Sequence, residues 1–140
     1  MFAGFDIGGT NIKGVITDET GRILKYRDTA TPATGKAIDN AIAEMIITLS
    51  SAASVSKDQI PAIGIGAAGS IDRNKGIVIT SPNIPAWKNY RICRNVEKLT
   101  GIKVYLENAD TAACAGVWWH NIKNKYSKWI MLTLGTGIGG

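Results

Sequence analysis

The chain has 140 residues, of which 45% are apolar and 19% charged, with 16 Lys and Arg against 11 Asp and Glu for a net charge of +5. This composition suits one core-forming domain and excludes a disordered chain. Two cysteines are too few for a disulfide scaffold, and no apolar run is long enough to span a membrane.

The basic residues are scattered rather than arranged in a stripe, which disfavours nucleic acid as a partner. Because no basic signal segment opens the chain, we expect a cytoplasmic protein without a membrane partner.

The first third of the chain predicts three short strands and one helix. Strands are expected at Phe2–Ile7, at residues 12–17 and at residues 22–29, separated by Gly-rich turns, which is typical of an antiparallel meander. Over residues 36–54 the apolar side chains then recur at spacings of three and four, which predicts an amphipathic helix.

The middle of the chain alternates between strands and helices. The run Ala62–Ala67 (AIGIGA) is typical of a buried parallel strand, and the turn-rich residues 72–76 predict a hairpin. An irregular segment, residues 81–87, precedes a helix that ends at Gly101, a residue suited to the position after a helix.

The last third predicts a strand at residues 102–106, a helix that either Asn108 or Asp110 could cap, and a final strand at residues 129–134 that runs into GTGIGG. This order of elements predicts an α/β domain with a central sheet flanked by helices. The final strand enters a glycine turn without a return partner, so we expect the chain to be the first part of a longer protein.

Two glycine-rich turns are the candidate sites for an anion. In the first, Asp6 ends a strand and Gly8, Gly9 and Thr10 follow, so backbone N–H groups and a hydroxyl can approach phosphate oxygens. Asp6 could hold a hydrated Mg²⁺ against the same phosphates. The second turn, residues 135–140, repeats the theme, and the pair could bind the phosphates of a nucleotide from two sides. Neither turn has the P-loop pattern.

Five segments in order resemble the ROK sugar kinases and repressors, within the hexokinase and actin-like ATPase superfamily. FDIGGTNIKG (5–14) and LGTGIGG (134–140) are similar to the two phosphate motifs of the family. GIGAAGSID (64–72), ITSPNIPAW (79–87) and YLENADTAA (105–113) are similar to its sugar-site segments. The resemblance implies a ribonuclease H-like mixed five-stranded sheet flanked by helices, as in the N-terminal lobe of an actin-like ATPase.

The same resemblance implies an ATP-dependent, glucokinase-like hexose kinase that uses Mg²⁺ in a cleft between two lobes. Residues 1–126 would form the N-terminal lobe and residues 127–140 the first strand of a second lobe that is otherwise missing, which would leave the fragment alone inactive. The substrate would be a hexose or an N-acylhexosamine, and the family leaves room for a homodimer. The implied phosphate-site residues are Asp6, with Mg²⁺ through water, and Gly8, Gly9, Thr10, Thr136 and Gly137. The implied sugar-site residues are Gly69, Asn83 and Asn108.

One position departs from the family pattern. The family reads Glu-Asn-Asp where this chain has Glu107, Asn108 and Ala109, and the family aspartate is the general base on the sugar hydroxyl. Ala109 cannot accept a proton, whereas Asp110 carries a carboxylate one step further along the helix. Either the helix starts one residue later and Asp110 is the base, which is our expectation, or the site binds sugar and phosphorylates it poorly.

Two other functions compete with the kinase. A ROK-type transcriptional regulator shares the sugar-binding unit but has a DNA-binding module ahead of it, and here the first phosphate motif begins at residue 5. A sugar sensor or inactive pseudokinase is favoured by Ala109.

Overall fold

The computed structural model describes residues 1–123, 125–134, 138 and 139. In these residues the helices are α1 (Gly35–Ala52), α2 (Ile92–Thr100) and α3 (Ala109–Val117), with a 3₁₀ turn at Lys57–Gln59 and a π-helical turn at Trp118–Ile122. The strands are β1 (Phe2–Ile7), β2 (Asn11–Thr17), β3 (Ile23–Ala30), β4 (Ala62–Ala67), β5 (Ser70–Asp72), β6 (Ile77–Thr80), β7 (Lys88–Tyr90), β8 (Lys103–Asn108), β9 (Thr133–Leu134) and β10 (Ile138–Gly139).

The main sheet has five strands in the order β3-β2-β1-β4-β8. Strands β1, β2 and β3 pair antiparallel as the predicted meander, and β4 pairs parallel with both β1 and β8. The mixed five-stranded sheet is therefore confirmed. Its parallel half places the carboxyl ends of β1, β4 and β8 along one edge.

The core lies on one face of this sheet. Ala3, Phe5 and Ile7 alternate along β1 with more exposed neighbours, and they join the buried cluster formed with α1, α2 and the inward residues of the other strands. A fully buried isoleucine such as Ile38 or Ile42 contributes about 1.5–3 kcal/mol through its removal from water. This core fixes the strand ends on which the candidate site is built.

The boundaries of the first two helices follow from residues that satisfy their terminal backbone groups. Thr34 precedes α1, and its hydroxyl accepts a hydrogen bond of 3.3 Å from the N–H of Ala37. Helix α2 ends at Gly101, which adopts the left-handed conformation with φ 68°. The predicted glycine stop is therefore confirmed.

A second sheet forms beside the first from β5, β6 and β7, which are antiparallel to one another. The predicted hairpin is its β5–β6 pair. The sequence did not predict β7, because three residues are too few to show an alternating pattern and its pairing partners in β6 lie about ten residues away along the chain: Tyr90 pairs with Val78 and Lys88 with Thr80.

Two expectations about the last third of the chain are wrong. Of the strand predicted over residues 129–134 only Thr133–Leu134 is a strand. None of the described strands pairs with the residues before it, and Ile130 is 88% exposed. The strand does have a return partner, because Ile138–Gly139 pairs with it antiparallel as a separate two-stranded sheet. No helix among the described residues is both long and apolar enough to cross a membrane.

Candidate functional site

The candidate site lies where three parallel strands end at the same level. Ile7 of β1 pairs with Ala67 of β4, and Ala67 pairs with Asn108 of β8. Most of the site residues predicted from the sequence lie at these strand ends or in the segments that follow them. Ligands of open α/β sheets bind outside the carboxyl ends of such strands, so the location itself is that of a binding site.

The glycine turn after β1 is held by hydrogen bonds that leave part of its backbone available. The Gly8 N–H donates to the carbonyl of Asn11 at 3.0 Å. Thr31 secures the turn from outside, because its hydroxyl donates to the Gly8 carbonyl at 2.7 Å and its N–H donates to the Thr10 carbonyl at 2.8 Å. Among the described residues the N–H groups of Gly9 and Thr10 have no acceptor, so they can face an anion.

The irregular segment 81–87 comes into direct contact with this turn. A Cβ built on Gly9 would lie 2.7 Å from the carbonyl oxygen of Asn83 and 2.8 Å from its Cβ. Only glycine fits without displacing this backbone. The side chain of Asn83 is exposed, so a predicted phosphate residue and a predicted sugar residue are neighbours.

Gly69 and Asn108 are joined by a hydrogen bond of 3.0 Å from the Nδ2 of Asn108 to the carbonyl oxygen of Gly69. Gly69 has φ +125°, and a Cβ there would overlap the carbonyl oxygen of Thr80, so the turn after β4 requires glycine. The Oδ1 of Asn108 caps α3 by accepting from the N–H groups of Asp110 at 2.9 Å and Thr111 at 3.2 Å. One N–H of the Asn108 amide is left for a ligand.

An open groove of about 1180 Å³ runs along the sheet and is lined by residues of β1, β4, β8 and α3, but not by the glycine turn after β1, Gly69, segment 81–87 or Asn108. Asp6 is exposed and lines the groove together with Gly66, Ala109 and Asp110. No cluster of three or more His, Cys, Asp or Glu residues suited to a metal occurs in the described part of the chain. The groove therefore offers isolated carboxylates rather than a complete set of protein ligands.

Asp110 points to the C-terminal hairpin. Its Oδ1 accepts a hydrogen bond of 2.7 Å from the hydroxyl of Thr133, and Gly139 packs so closely that a Cβ there would overlap its Oδ2. Helix α3 begins at Ala109 with Asn108 as its cap, so of the two predicted caps Asn108 is confirmed, and Asp110 as the general base stays a prediction. Asp110 is thus the second residue of the helix, where its negative charge interacts favourably with the positive end of the helix dipole.

Among the predicted site residues, Gly9 contacts Asn83, Asn108 bonds Gly69 and the N–H of Asp110, and Asp6 and Asp110 line the same groove. Thr136 and Gly137 lie outside the described residues. Two contributors were missed. Thr133 bonds Asp110, and Glu107 connects Arg73, at 3.3 Å, with the N–H of Asn108, at 2.9 Å. The sequence offers one signal for them: Thr133 directly precedes the motif LGTGIGG, and Glu107 directly precedes Asn108.

The comparisons with known proteins concern the family and the fold. The model of the ROK family matches residues 2–140. A glucokinase of Thermotoga maritima is 40% identical over 139 residues, which is 98% of this chain and 42% of that relative. The crystal structure of a ROK family glucokinase from Streptomyces griseus in complex with glucose and AMPPNP matches with a TM-score of 0.88 at 36% identity, over 99% of this chain and 42% of that chain.

The chain therefore spans about 42% of the length of these two proteins. A ROK family transcriptional regulator, a homologue of the E. coli MLC protein, matches with a TM-score of 0.72 at 18% identity over 84% of this chain and 30% of that one. At that identity the likeness concerns the fold alone.

Proposed function

The chain belongs to the ROK family, and we propose that the whole protein is an ATP-dependent, glucokinase-like hexose kinase of which these residues form the N-terminal lobe. It transfers the γ-phosphoryl group of ATP to a hydroxyl of a hexose or N-acylhexosamine. Residues 1–126 belong to this lobe and residues 127–140 begin the second. The separate sheet formed by β9 and β10 supports that boundary.

The observation that carries the proposal is the contact between the glycine turn after β1 and the segment that holds Asn83. A kinase must hold the donor phosphate and the acceptor hydroxyl side by side, because phosphoryl transfer depends mainly on positioning and on charge stabilisation. Gly9 lies against Asn83, and Asn108 lies against Gly69 at the neighbouring strand end. These two contacts support a phosphate-binding turn beside a sugar-binding surface.

In this proposal Gly8, Gly9 and Thr10 line the phosphates of ATP, and Thr136 and Gly137 face them from the second turn. The N–H groups of Gly9 and Thr10, which have no acceptor among the described residues, support this role. The exposed carboxylate of Asp6 suits Mg²⁺, which keeps several waters and takes only one or two carboxylates beside substrate phosphates. When bound, the ion neutralises charge on the phosphate oxygens.

The sugar lies against Gly69, Asn83 and Asn108 in the same proposal. The exposed amide of Asn83 and the remaining N–H of Asn108 supply donors and acceptors for hydroxyl groups. We assign the general base to Asp110, the carboxylate nearest to Asn108 along α3. Its hydrogen bond to Thr133 keeps its carboxylate beside the strand that leads into the second glycine turn.

The second candidate function is a sugar-binding pseudokinase. The alanine at position 109, together with a helix that begins at that residue, favours it, because no carboxylate then occupies the position of the family base. A transcriptional regulator shares the fold, and no contact among the described residues favours it over the kinase. A cytoplasmic location stays a prediction.

The test is an assay of the whole protein for ADP release and sugar-phosphate formation with ATP, Mg²⁺ and a panel of hexoses and N-acylhexosamines. The kinase predicts ADP release that depends on one or more of these sugars. Sugar binding by calorimetry without any ADP release would identify the pseudokinase, and sugar-sensitive retention of DNA would identify the regulator.

A further inference from the structure

A buried polar cluster lies behind the sugar-binding segment and outside the site described above. Asp39 of α1 is only 3% exposed. Its Oδ2 accepts hydrogen bonds from the hydroxyl of Tyr90 at 2.5 Å and from the Nδ2 of Asn95 at 3.0 Å. The cluster thus joins α1 and α2 to the last residue of β7 through a single carboxylate oxygen.

Tyr90 transmits this anchor to Trp87. The two rings are stacked, with their centroids 6.2 Å apart and their planes at 17°. Trp87 is 1% exposed and is one of the largest fully buried side chains among the described residues. Tyr90 also packs against Gly35 at the start of α1, where a Cβ would lie 2.6 Å from its ring, so the start of α1 holds the Tyr90 ring from a further side.

Trp87 in turn fixes the segment that carries Asn83. The Trp87 N–H donates to the carbonyl of Ile84 at 2.9 Å and closes a turn directly after Asn83. Ile84 is 4% exposed, so both ends of this turn are buried whereas Asn83 itself is exposed. The position of Asn83 against Gly9 therefore depends on the anchoring of Trp87.

The anchor is polar in a place where apolar side chains would suffice for stability. The other oxygen of Asp39 is buried and has no hydrogen-bond partner in the described residues, and a buried carboxylate without full pairing is unfavourable. Hydrogen bonds differ from apolar contacts in direction: they select one orientation of Tyr90 rather than any well-packed one.

We propose that Asp39 and Tyr90 are positioning residues for the sugar site, which act through Trp87 to hold Asn83 in place. The inference rests on the proposed function for its catalytic consequence but not for the anchoring itself. It assigns a role in sugar affinity to an aspartate on a helix that contributes no residue to the site.

The test compares Tyr90→Phe with wild type in the whole protein. The variant keeps the ring stacked on Trp87 and removes only the hydroxyl that bonds Asp39. We expect the KM for the sugar to rise about 3- to 10-fold, which corresponds to one lost hydrogen bond, with the KM for ATP changed less than about twofold. Backbone hydrogen exchange over residues 81–87 should become faster. Asp39→Asn keeps a carbonyl oxygen for the Tyr90 hydroxyl and should be milder than Asp39→Ala.

Thr100→Val is the matched control. It removes a buried hydroxyl that donates to the Val96 carbonyl at 2.8 Å and accepts from the Ile102 N–H at 3.2 Å, at the end of α2 remote from the site. It should lower the melting temperature without changing the KM for the sugar or the hydrogen exchange over residues 81–87.

If Tyr90→Phe also lowered only the melting temperature, the inference would be overturned. Absence of turnover in wild type would overturn the proposed function, while faster exchange in Tyr90→Phe alone would still support the anchoring.

Discussion

The side chain of Asn108 bonds in two directions, because its Nδ2 donates to the Gly69 carbonyl at 3.0 Å while its Oδ1 accepts from the first turn of α3. One amide thereby ties the turn after β4 to the helix after β8, two segments that are 39 residues apart. In the proposed function this amide serves both the fold and the sugar, and the two roles can be separated by substitution.

Substitutions of Asn108 should separate capping from sugar binding. Asn108→Ala removes the cap, which costs about 1 kcal/mol of stability, together with every polar contact of the amide. Asn108→Asp keeps an oxygen for the N–H groups of Asp110 and Thr111 but loses the donor to Gly69 and to the sugar. We expect both variants to bind sugar at least about tenfold more weakly, since the sugar loses the amide donor and the part-buried Gly69 carbonyl loses its partner. Only the alanine variant should lose the cap. Calorimetry with the productive sugar and chemical denaturation measure the two effects. Wild-type sugar affinity in Asn108→Asp would contradict the sugar-binding role.

Substitution of Gly9 should impair the site through a steric effect. The methyl group of Gly9→Ala would lie 2.7 Å from the Asn83 carbonyl oxygen, so one of the two segments must move. Overpacking of this kind costs about 1–3 kcal/mol, and we expect the KM values for both ATP and sugar to rise.

The matched control for Gly9→Ala is Gly116→Ala on α3, where a Cβ meets nothing within 4 Å. This variant should be as active as wild type and up to about 1 kcal/mol more stable, because alanine favours a helix. Steady-state kinetics of both variants measure the difference. Equal kinetics for the two would show that the contact between Gly9 and Asn83 is unimportant for the site.

Exchanging the chemistry of positions 109 and 110 should identify the general base. If Asp110 is the base, Asp110→Asn should lower kcat by about 10²–10⁴ and Ala109→Asp should change it little. If the base belongs at position 109 and is absent, Ala109→Asp should instead raise kcat by a comparable factor. Measuring kcat for the two variants decides between them, and Asp110→Asn with at least a tenth of wild-type turnover would exclude Asp110.

Asp39 should make the protein less stable as the pH rises, which is the opposite of the usual effect of a carboxylate. Burial raises the pKa of Asp39, although the hydrogen bonds from Tyr90 and Asn95 oppose the shift. The unfolded chain then releases this proton at about pH 3.9, before the folded chain does. Asp39 therefore makes its full contribution to the free energy of unfolding below that pH. The contribution is lost as the pH rises through the raised pKa.

The comparison of wild type with Asp39→Asn isolates this contribution. Asp72 and Glu97 have lowered pKa values because of their hydrogen bonds to Lys75 and Lys103, and they lose stabilisation as the pH falls, in both proteins alike. Chemical denaturation between about pH 4 and pH 7 should show the wild type losing stability relative to Asp39→Asn as the pH rises. Parallel curves for the two proteins would contradict the raised pKa.

The main sheet could be predicted from the sequence because its signals are local. The apolar run Ala62–Ala67 and the glycine at position 101 each determine one element or one boundary, and both predictions are confirmed. Strand β7 could not be predicted, since its three residues are defined by pairing with β6 rather than by their own pattern. Likewise, the apolar residues 129–132 suggested a strand, but a strand needs a neighbouring sheet.

For the candidate site, residue types were more predictable than contacts. Asn108 was recognised both as a cap and as a polar residue, yet its bond to Gly69 depends on the parallel pairing of β4 with β8. The hydrogen bond from Thr133 to Asp110 and the anchor from Asp39 to Tyr90 join residues 23 and 51 positions apart. Such pairs arise only when the helices have packed on the sheet.

The most direct measurement is ³¹P NMR of the whole protein with ATP, Mg²⁺ and each candidate hexose in turn. The proposal predicts that for at least one sugar the γ-phosphorus signal of ATP is replaced by that of a sugar phosphate ester, with one ADP formed per ester. Persistence of ATP with every sugar, or its conversion to inorganic phosphate in place of an ester, would contradict a site that holds phosphate and sugar side by side.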